Sequence, residues 1–178
     1  LCKELSDNGY QVRALVRKNS NRTILDETRV EFVEGELTDI ISLEKALSEI
    51  EIVFHIAALY REAKFGDDVY WKVNYEGTKN IFNASVKLGV KNFIHCSTIG
   101  VHSTIKNPPA DESEPYAPTD VYQESKVAAE KFILESLSKG DMRGCVIRPA
   151  MIWGPKDKRF LKFFKGIYQR KLPLIGSG

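Results

Sequence analysis

The chain has 178 residues and a formal charge of +2, with 26 basic and 24 acidic side chains mixed along its length. That balance argues against a one-sided basic face for nucleic acid, and the apolar content is enough for one domain with a real core. The longest strongly apolar run, Ile52 to Tyr60, contains His55 and falls far short of the roughly 20 residues of a membrane span.

Cys2, Cys96 and Cys145 are odd in number and unpaired in spacing. They read as reduced thiols of a cytoplasmic protein, not as a zinc set or a disulfide framework. The chain opens on Leu1 without a secretory signal and stops just after Leu172–Ile175 and a Gly-Ser-Gly. The expectation is a fragment cut at both ends.

In chain order, Leu1–Asn8 reads as the back half of an amphipathic helix, closed by Gly9. Val12–Val16 is a strand, Arg22–Glu27 a short helical piece and Val30–Glu34 a second strand. Thr38 or Asp39 can cap a helix over Ile40–Leu47. Ile52–Ile56 is apolar on both faces, as buried parallel strands are. A long helix lies within Asp67–Leu88, closed by Gly89, and is followed by the strand Asn92–Cys96. A polar loop from about Ile99 to Asp120 leads to a helix over Val121–Ser138. Cys145–Arg148 is a strand and Arg159–Gln169 a helix. Alternation of short β-branched runs with helices predicts an α/β fold with a doubly wound parallel sheet. In such sheets ligands bind beyond the carboxyl ends of the strands, so the residues just after each strand carry the functional question.

Tyr122 and Lys126 are four apart on the predicted helix and share a face. A phenol titrates near ~10 and is a poor base at neutral pH, but a neighbouring ammonium favours phenolate. The pair is therefore an acid–base device for an alcohol proton. Ser97 and Thr98 stand directly after the strand Asn92–Cys96, where a hydroxyl could polarise a substrate oxygen. Beyond Val12–Val16, an NAD enzyme wants a carboxylate for the ribose 2′-hydroxyl. This chain has Val16-Arg17-Lys18. Arg17 can grip a 2′-phosphate in a bidentate way and so favours NADP over NAD. His55, His95 and His102 lie too far apart in the pattern for a metal set, and none is expected.

His55-Ile56-Ala57-Ala58, Asn74-Tyr75-Glu76-Gly77-Thr78, Cys96-Ser97-Thr98, Tyr122-Gln-Glu-Ser-Lys126 and Arg148-Pro149 with Gly154-Pro155 stand in this order. Together they resemble the extended short-chain dehydrogenase/reductase family across essentially the whole chain. That family includes sugar-nucleotide epimerases and dehydratases, 3β-hydroxysteroid dehydrogenases and dihydroflavonol reductases. The resemblance implies Tyr122 as catalytic acid–base, Lys126 on the nicotinamide ribose, and Thr98 as the catalytic hydroxyl with Ser97 as fallback. It implies Ala57 and Ala58 along the cofactor diphosphate and ribose, and Glu36 and Leu37 beside the adenine, with Glu where the family has Asp. Asn74 would bind the cofactor or brace the long helix, and Pro149 would lie near the nicotinamide face.

The family's glycine-rich turn and first strand have no counterpart in the sequence. That turn aims backbone N–H groups at the pyrophosphate. The chain as it stands is therefore expected to bind cofactor poorly, and the activity belongs to the complete enzyme. The missing strand would lie between Val12–Val16 and Ile52–Ile56, leaving them about 9–10 Å apart.

The sequence predicts a Rossmann-like α/β domain over residues 1–155, with residues 156–178 beginning a substrate-binding part. The reaction is hydride transfer to or from a carbinol carbon, most readily of a nucleotide sugar. A 3β-hydroxysteroid or dihydroflavonol-like alcohol is the alternative, and a non-catalytic cofactor-sensing module the rival from another class. Helices 67–88 and 121–138 could pair two copies in a homodimer.

Overall fold

A computed structural model describes residues 1–25, 28–60, 64–105, 108–154 and 161–171. The chain divides into two compact units, Leu1–Arg148 and Pro149–Gly178.

The first unit opens with α1 (Cys2–Asp7), after which Gly9 takes a left-handed φ of 85° that glycine adopts without a Cβ penalty. Strand β1 (Val12–Val16) pairs in parallel with β2 (Val30–Glu34), in register from Val12↔Val30 to Val16↔Glu34. A single 3₁₀ turn, Thr23–Leu25, lies between them, where the sequence predicted a helical piece over Arg22–Glu27; residues 26 and 27 of that piece lie outside the described residues. Of the two proposed caps for α2 (Ile40–Leu47), Asp39 serves, its carboxylate accepting from Ile41 N and Ser42 N. Capping of this kind satisfies amides that the first helical turn leaves without partners.

The second ladder contains β3 (Ile52–His55), β4 (Asn92–Cys96) and β5 (Arg143–Ile147), parallel throughout, with β4 in the middle. Among the described residues β1 and β3 share no ladder. The direct β1–β3 pairing that would have contradicted the doubly wound order is therefore not found. One helical stretch joins β3 to β4: α3 (Asp67–Tyr70), a π-helical segment (Trp71–Glu76) and α4 (Gly77–Lys87). Gly89, at φ 73°, closes it. The long helix α5 (Val121–Ser138) starts on Asp120, whose carboxylate accepts from Gln123 N.

The core lies between α4, α5 and one sheet face, where Phe82, Ile81, Ile133, Leu43, Val53 and Phe93 are buried. Phe82 packs edge-on against both Phe93 and Phe132. Two sequence expectations need correction. Strand β3 is not buried on both faces: Val53 and His55 point inward, whereas Ile52, Phe54 and Ile56 are about half exposed. The reason is that α4 and α5 cover the same face of the sheet. Strand β5 runs from Arg143 rather than Cys145 and ends at Ile147, because Arg143 enters the ladder opposite Asn92.

α2 holds the β1–β2 layer to α4. Asn80 donates to Leu37 O at 2.9 Å, and Lys87 pairs with Glu44. Gly77 permits this approach, since a Cβ there would lie 2.8 Å from Leu37 Cβ. In the second unit, α6 (Leu161–Tyr168) is the described helix, within the predicted Arg159–Gln169; Arg159 and Phe160 lie outside the described residues. Among the described residues no helix is long and apolar enough to cross a membrane.

Candidate active site

Residues beyond the carboxyl ends of β3 and β4 meet the first turns of α5. Thr98 leaves β4 in extended conformation and caps a 3₁₀ turn, Ile99–His102, inside the stretch the sequence suggested was loop. Gly100 N donates to Thr98 Oγ1 at 3.1 Å. With that lone pair occupied, the hydroxyl still has its proton to give. Ser97 is buried and donates to Glu130 Oε2 at 2.5 Å, so its hydroxyl is committed inside the protein while Thr98 is partly exposed.

Tyr122 and Lys126 occupy successive turns of α5, both buried. The Tyr122 ring is held edge-on by Tyr60, with centroids 5.0 Å apart. Lys126 Nζ donates to Cys96 O at 2.8 Å. Burial pulls the Lys126 pKa down to about 8, while the charges of Cys96 and Glu130 oppose that fall. Folding around a charged Lys126 at neutral pH thus costs on the order of 3 kcal/mol. The linkage follows from the depressed folded value: the unfolded chain holds the proton more tightly, so this cost is present below about pH 8 and fades towards ~10.4. Lys126→Met, of similar bulk and apolar, is expected to raise the urea midpoint at pH 7. An unchanged or lowered midpoint would show that the buried ammonium carries no such cost.

Beneath this pair lies a polar layer. His55 Nε2 is 2.8 Å from Thr78 Oγ1, and that hydroxyl donates to Asn74 O at 2.6 Å. Thr78 therefore accepts from His55, which fixes the Nε2–H tautomer. His95, fully buried with its ring 5.4 Å from that of His55, has no hydrogen bond to either nitrogen among the described residues. Burial, and then the Lys126 charge, lower His55 to about 3 and His95 to about 2. Both rings are neutral at pH 7.

Asn74 sits in the π-helical segment, the kind of insertion that often marks functional regions. Its Oδ1 accepts from Leu59 N at 2.7 Å, and its Nδ2 donates to Leu59 O and Ser125 Oγ, each at 3.0 Å. Every donor of the amide is used, so Asn74 braces the β3 loop against α5. Ala57 and Ala58 lie exposed on that loop. Arg17 and Glu36 are exposed just beyond the paired ends of β1 and β2, with Arg17 N bound to Ser20 Oγ. Leu37 is tied to Asn80 through its carbonyl. Pro149 opens the second unit, and Pro155 lies outside the described residues.

The sequence profile of the 3-beta hydroxysteroid dehydrogenase/isomerase family matches residues 1–178, the whole chain. The chain belongs to that family. The resemblance to extended short-chain dehydrogenases/reductases read from the motifs therefore stands. Over 167 residues this family member is 30% identical to a decarboxylating sterol-4-alpha-carboxylate 3-dehydrogenase of Candida albicans, covering 90% of the chain and 47% of that protein. Over 147 residues it is 32% identical to the N-acetyl-alpha-D-glucosaminyl-diphospho-ditrans,octacis-undecaprenol 4-epimerase of Escherichia coli O157:H7, covering 81% of the chain and 44% of that protein. The structure of a short-chain dehydrogenase/reductase superfamily protein from Agrobacterium tumefaciens with bound NAD aligns with a TM-score of 0.72 and 26% identity, over 82% of this chain and 43% of that one. The chain spans about half the length of the curated relatives it matches.

Sequence reasoning missed two neighbours of the site. Tyr60 ends the same run as Ala57-Ala58, and an aromatic at a strand's carboxyl end was the available signal. Glu130 lies four residues beyond Lys126 and eight beyond Tyr122, on the shared helix face. Its charge gave no sign of burial, and it is fully buried.

Proposed function

We propose that the chain carries the acid–base centre of an NAD(P)-dependent dehydrogenase that oxidises the 3β-hydroxyl of a sterol-like alcohol. The observation that carries this reading is Lys126, buried and anchored on Cys96 O one helical turn from Tyr122, in a chain that belongs to the 3β-hydroxysteroid dehydrogenase family. Family membership and the Candida relative move the sterol ahead of the nucleotide sugar that the motifs alone suggested. The nucleotide-sugar reading remains second, favoured by the E. coli 4-epimerase.

The donors present fit a dinucleotide. An ammonium has three N–H donors; one is spent on Cys96 O and two are left for ribose hydroxyls and the phenol. Small exposed side chains at Ala57 and Ala58 allow a diphosphate and ribose to approach the backbone. Bound NAD(P) would supply the hydride acceptor, as the NAD seen in the Agrobacterium structure suggests. Tyr122, as phenolate, takes the carbinol proton, Thr98 donates to the substrate oxygen, and Lys126 stabilises the phenolate. Asn74 braces the cofactor loop, Glu36 and Leu37 flank the adenine, and Pro149 borders the nicotinamide. Residues 1–155 form the catalytic domain of this reading and 156–178 begin the substrate-binding part. Two copies pair through helices 67–88 and 121–138, which sedimentation would read directly.

The test is to mix the protein with NAD or NADP and follow nicotinamide absorbance against 3β-hydroxysteroids and UDP-sugars. Reduction with a 3β-hydroxysteroid supports the first reading, sugar epimerisation the second, and neither reaction overturns both. Arg17→Ala should weaken NADP by about tenfold, the worth of one charged phosphate contact, and leave NAD nearly unchanged. Equal loss for both would place the 2′-phosphate elsewhere. Ile99-Gly100 follow Thr98, where family dehydratases carry Asp-Glu, and neither can move a proton. Incubation with dTDP-glucose should therefore yield no 4-keto-6-deoxy sugar, and detection of one would refute the assignment.

A further inference from the structure

We propose that Glu130 is a positioning residue for the reaction, fixing the strand end that presents Thr98 against the helix that presents Tyr122 and Lys126. This rests on the acid–base reading above, and its test separates the two.

The carboxylate of Glu130 is fully buried, and both of its oxygens are used. Oε2 accepts from Ser97, the residue next to Thr98. Oε1 accepts from Tyr116 OH at 2.8 Å and from Arg148 Nε and Nη2 at 2.8 and 2.6 Å. Arg148 follows β5 directly and extends the grip. Its Nη1 donates to His102 Nε2 at 3.1 Å and to Glu112 O at 3.3 Å. His102 Nδ1 is 3.1 Å from Pro115 O, so Nδ1 donates and Nε2 accepts, and the ring stacks on Tyr116 at 6°. One carboxylate thus ties together the ends of β4 and β5, the 3₁₀ turn capped by Thr98, and the 112–116 loop. It does so from the turn of α5 next to Lys126.

A buried ion pair seldom stabilises a fold beyond what apolar packing would achieve. What the arrangement supplies is geometry. Thr98 and Tyr122 stand on separate elements with no covalent tie shorter than the 99–121 segment, and they must act on one oxygen atom. A misplacement of about 1 Å at such a site can cost ~10²-fold in rate. Glu130 also faces Lys126 electrostatically and supports its charge. The other titratable groups facing Lys126 are Cys96 and His95 on β4, His55 on β3 and Tyr122 on α5; Arg148 and Tyr116 face Glu130. Removing the Glu130 charge leaves Arg148 uncompensated, so both changes push Lys126 towards its neutral form.

The test uses Glu130→Gln and Ser97→Ala in the protein, with three readouts. An amide in place of the carboxylate turns an N–H towards either Ser97 or Arg148. For Glu130→Gln, kcat on a 3β-hydroxysteroid should fall by about tenfold or more while the NAD(P)H dissociation constant stays within about threefold, which is ~0.65 kcal/mol. The alkaline limb of its pH–rate profile should move to lower pH. Ser97→Ala should lower kcat less and leave that limb in place. Crystal structures of wild type and Glu130→Gln should show Thr98 displaced from Tyr122. If wild type turns over no substrate, the functional reading fails, and the structural comparison alone decides this one. Wild-type kcat and an unmoved limb in Glu130→Gln, or an undisplaced Thr98, would overturn the proposal. If Glu130→Gln does not fold, Ser97→Ala decides: wild-type kcat and an unmoved Thr98 overturn it.

Discussion

Tyr122→Phe should abolish turnover of a 3β-hydroxysteroid while leaving NAD(P)H binding within a few-fold of wild type. The substitution removes one hydroxyl and keeps the ring. That ring is buried and held edge-on by Tyr60, and an edge-to-face contact of about 0.5–1.5 kcal/mol does not need the hydroxyl. The fold should therefore tolerate the change. What disappears is the hydroxyl that, in the proposed reaction, takes and returns the alcohol proton. Lys126 is anchored on Cys96 O, and in the proposed mechanism it favours the phenolate by charge rather than taking the proton itself. Positioned general acid–base catalysis contributes ~10²–10⁴-fold, so the expected loss in kcat is of that size with little change in cofactor affinity. Stopped-flow absorbance and quenching of NADH fluorescence measure the two quantities on the same preparation. Residual activity within about tenfold of wild type would remove Tyr122 from the mechanism. A parallel loss of cofactor binding would make its role structural.

Much of this site was legible in the sequence because its chemistry is local. Tyr122 and Lys126 are one helical turn apart, and that spacing alone places them together. Thr98 follows a strand whose β-branched and aromatic pattern is plain. The parallel arrangement of β1 with β2 and of β3 with β4 and β5 followed from alternating strand and helix periods. What could not be read is whatever depends on contacts between distant segments. Glu130 became a buried hub through Ser97, Tyr116 and Arg148, which are 33, 14 and 18 residues away. Asn74 was seen as either a cofactor ligand or a brace. Its pairing with Leu59 and Ser125, 15 and 51 residues distant, spends its amide on bracing. The burial of β3 was overestimated because apolar residues on both faces show only that both could be covered. Which face the helices take is set by how α4 and α5 pack together, and that information lies outside the strand.

Acid should unfold this protein earlier and more steeply than its carboxylates would dictate, and His55 and His95 are the reason. Both rings are buried beside Lys126, with their pKa values lowered to about 3 and about 2 by burial first and by the ammonium charge second. In the unfolded chain each returns to about 6.5. Below that value the unfolded state takes up two protons that the folded state refuses, so stability is complete above about pH 6.5 and is lost as the pH falls. Each histidine contributes a slope of about 1.4 kcal/mol per pH unit, about 2.7 together, and so about 5 kcal/mol between pH 6.5 and 4.5. Whole domains have about 5–15 kcal/mol in reserve, so the effect is large enough to unfold this one before most carboxylates are protonated. His95→Leu isolates half of it. Leucine fills comparable space on β4 and removes two buried nitrogens that have no hydrogen bond among the described residues, each worth roughly 1–3 kcal/mol of desolvation. The variant should be more stable than wild type at pH 7.5, and its urea midpoint should fall about half as steeply between pH 6.5 and 4.5. An identical slope in wild type and variant would mean that His95 is already charged or solvated in the folded protein, and the buried neutral layer beneath Tyr122 and Lys126 would have to be abandoned.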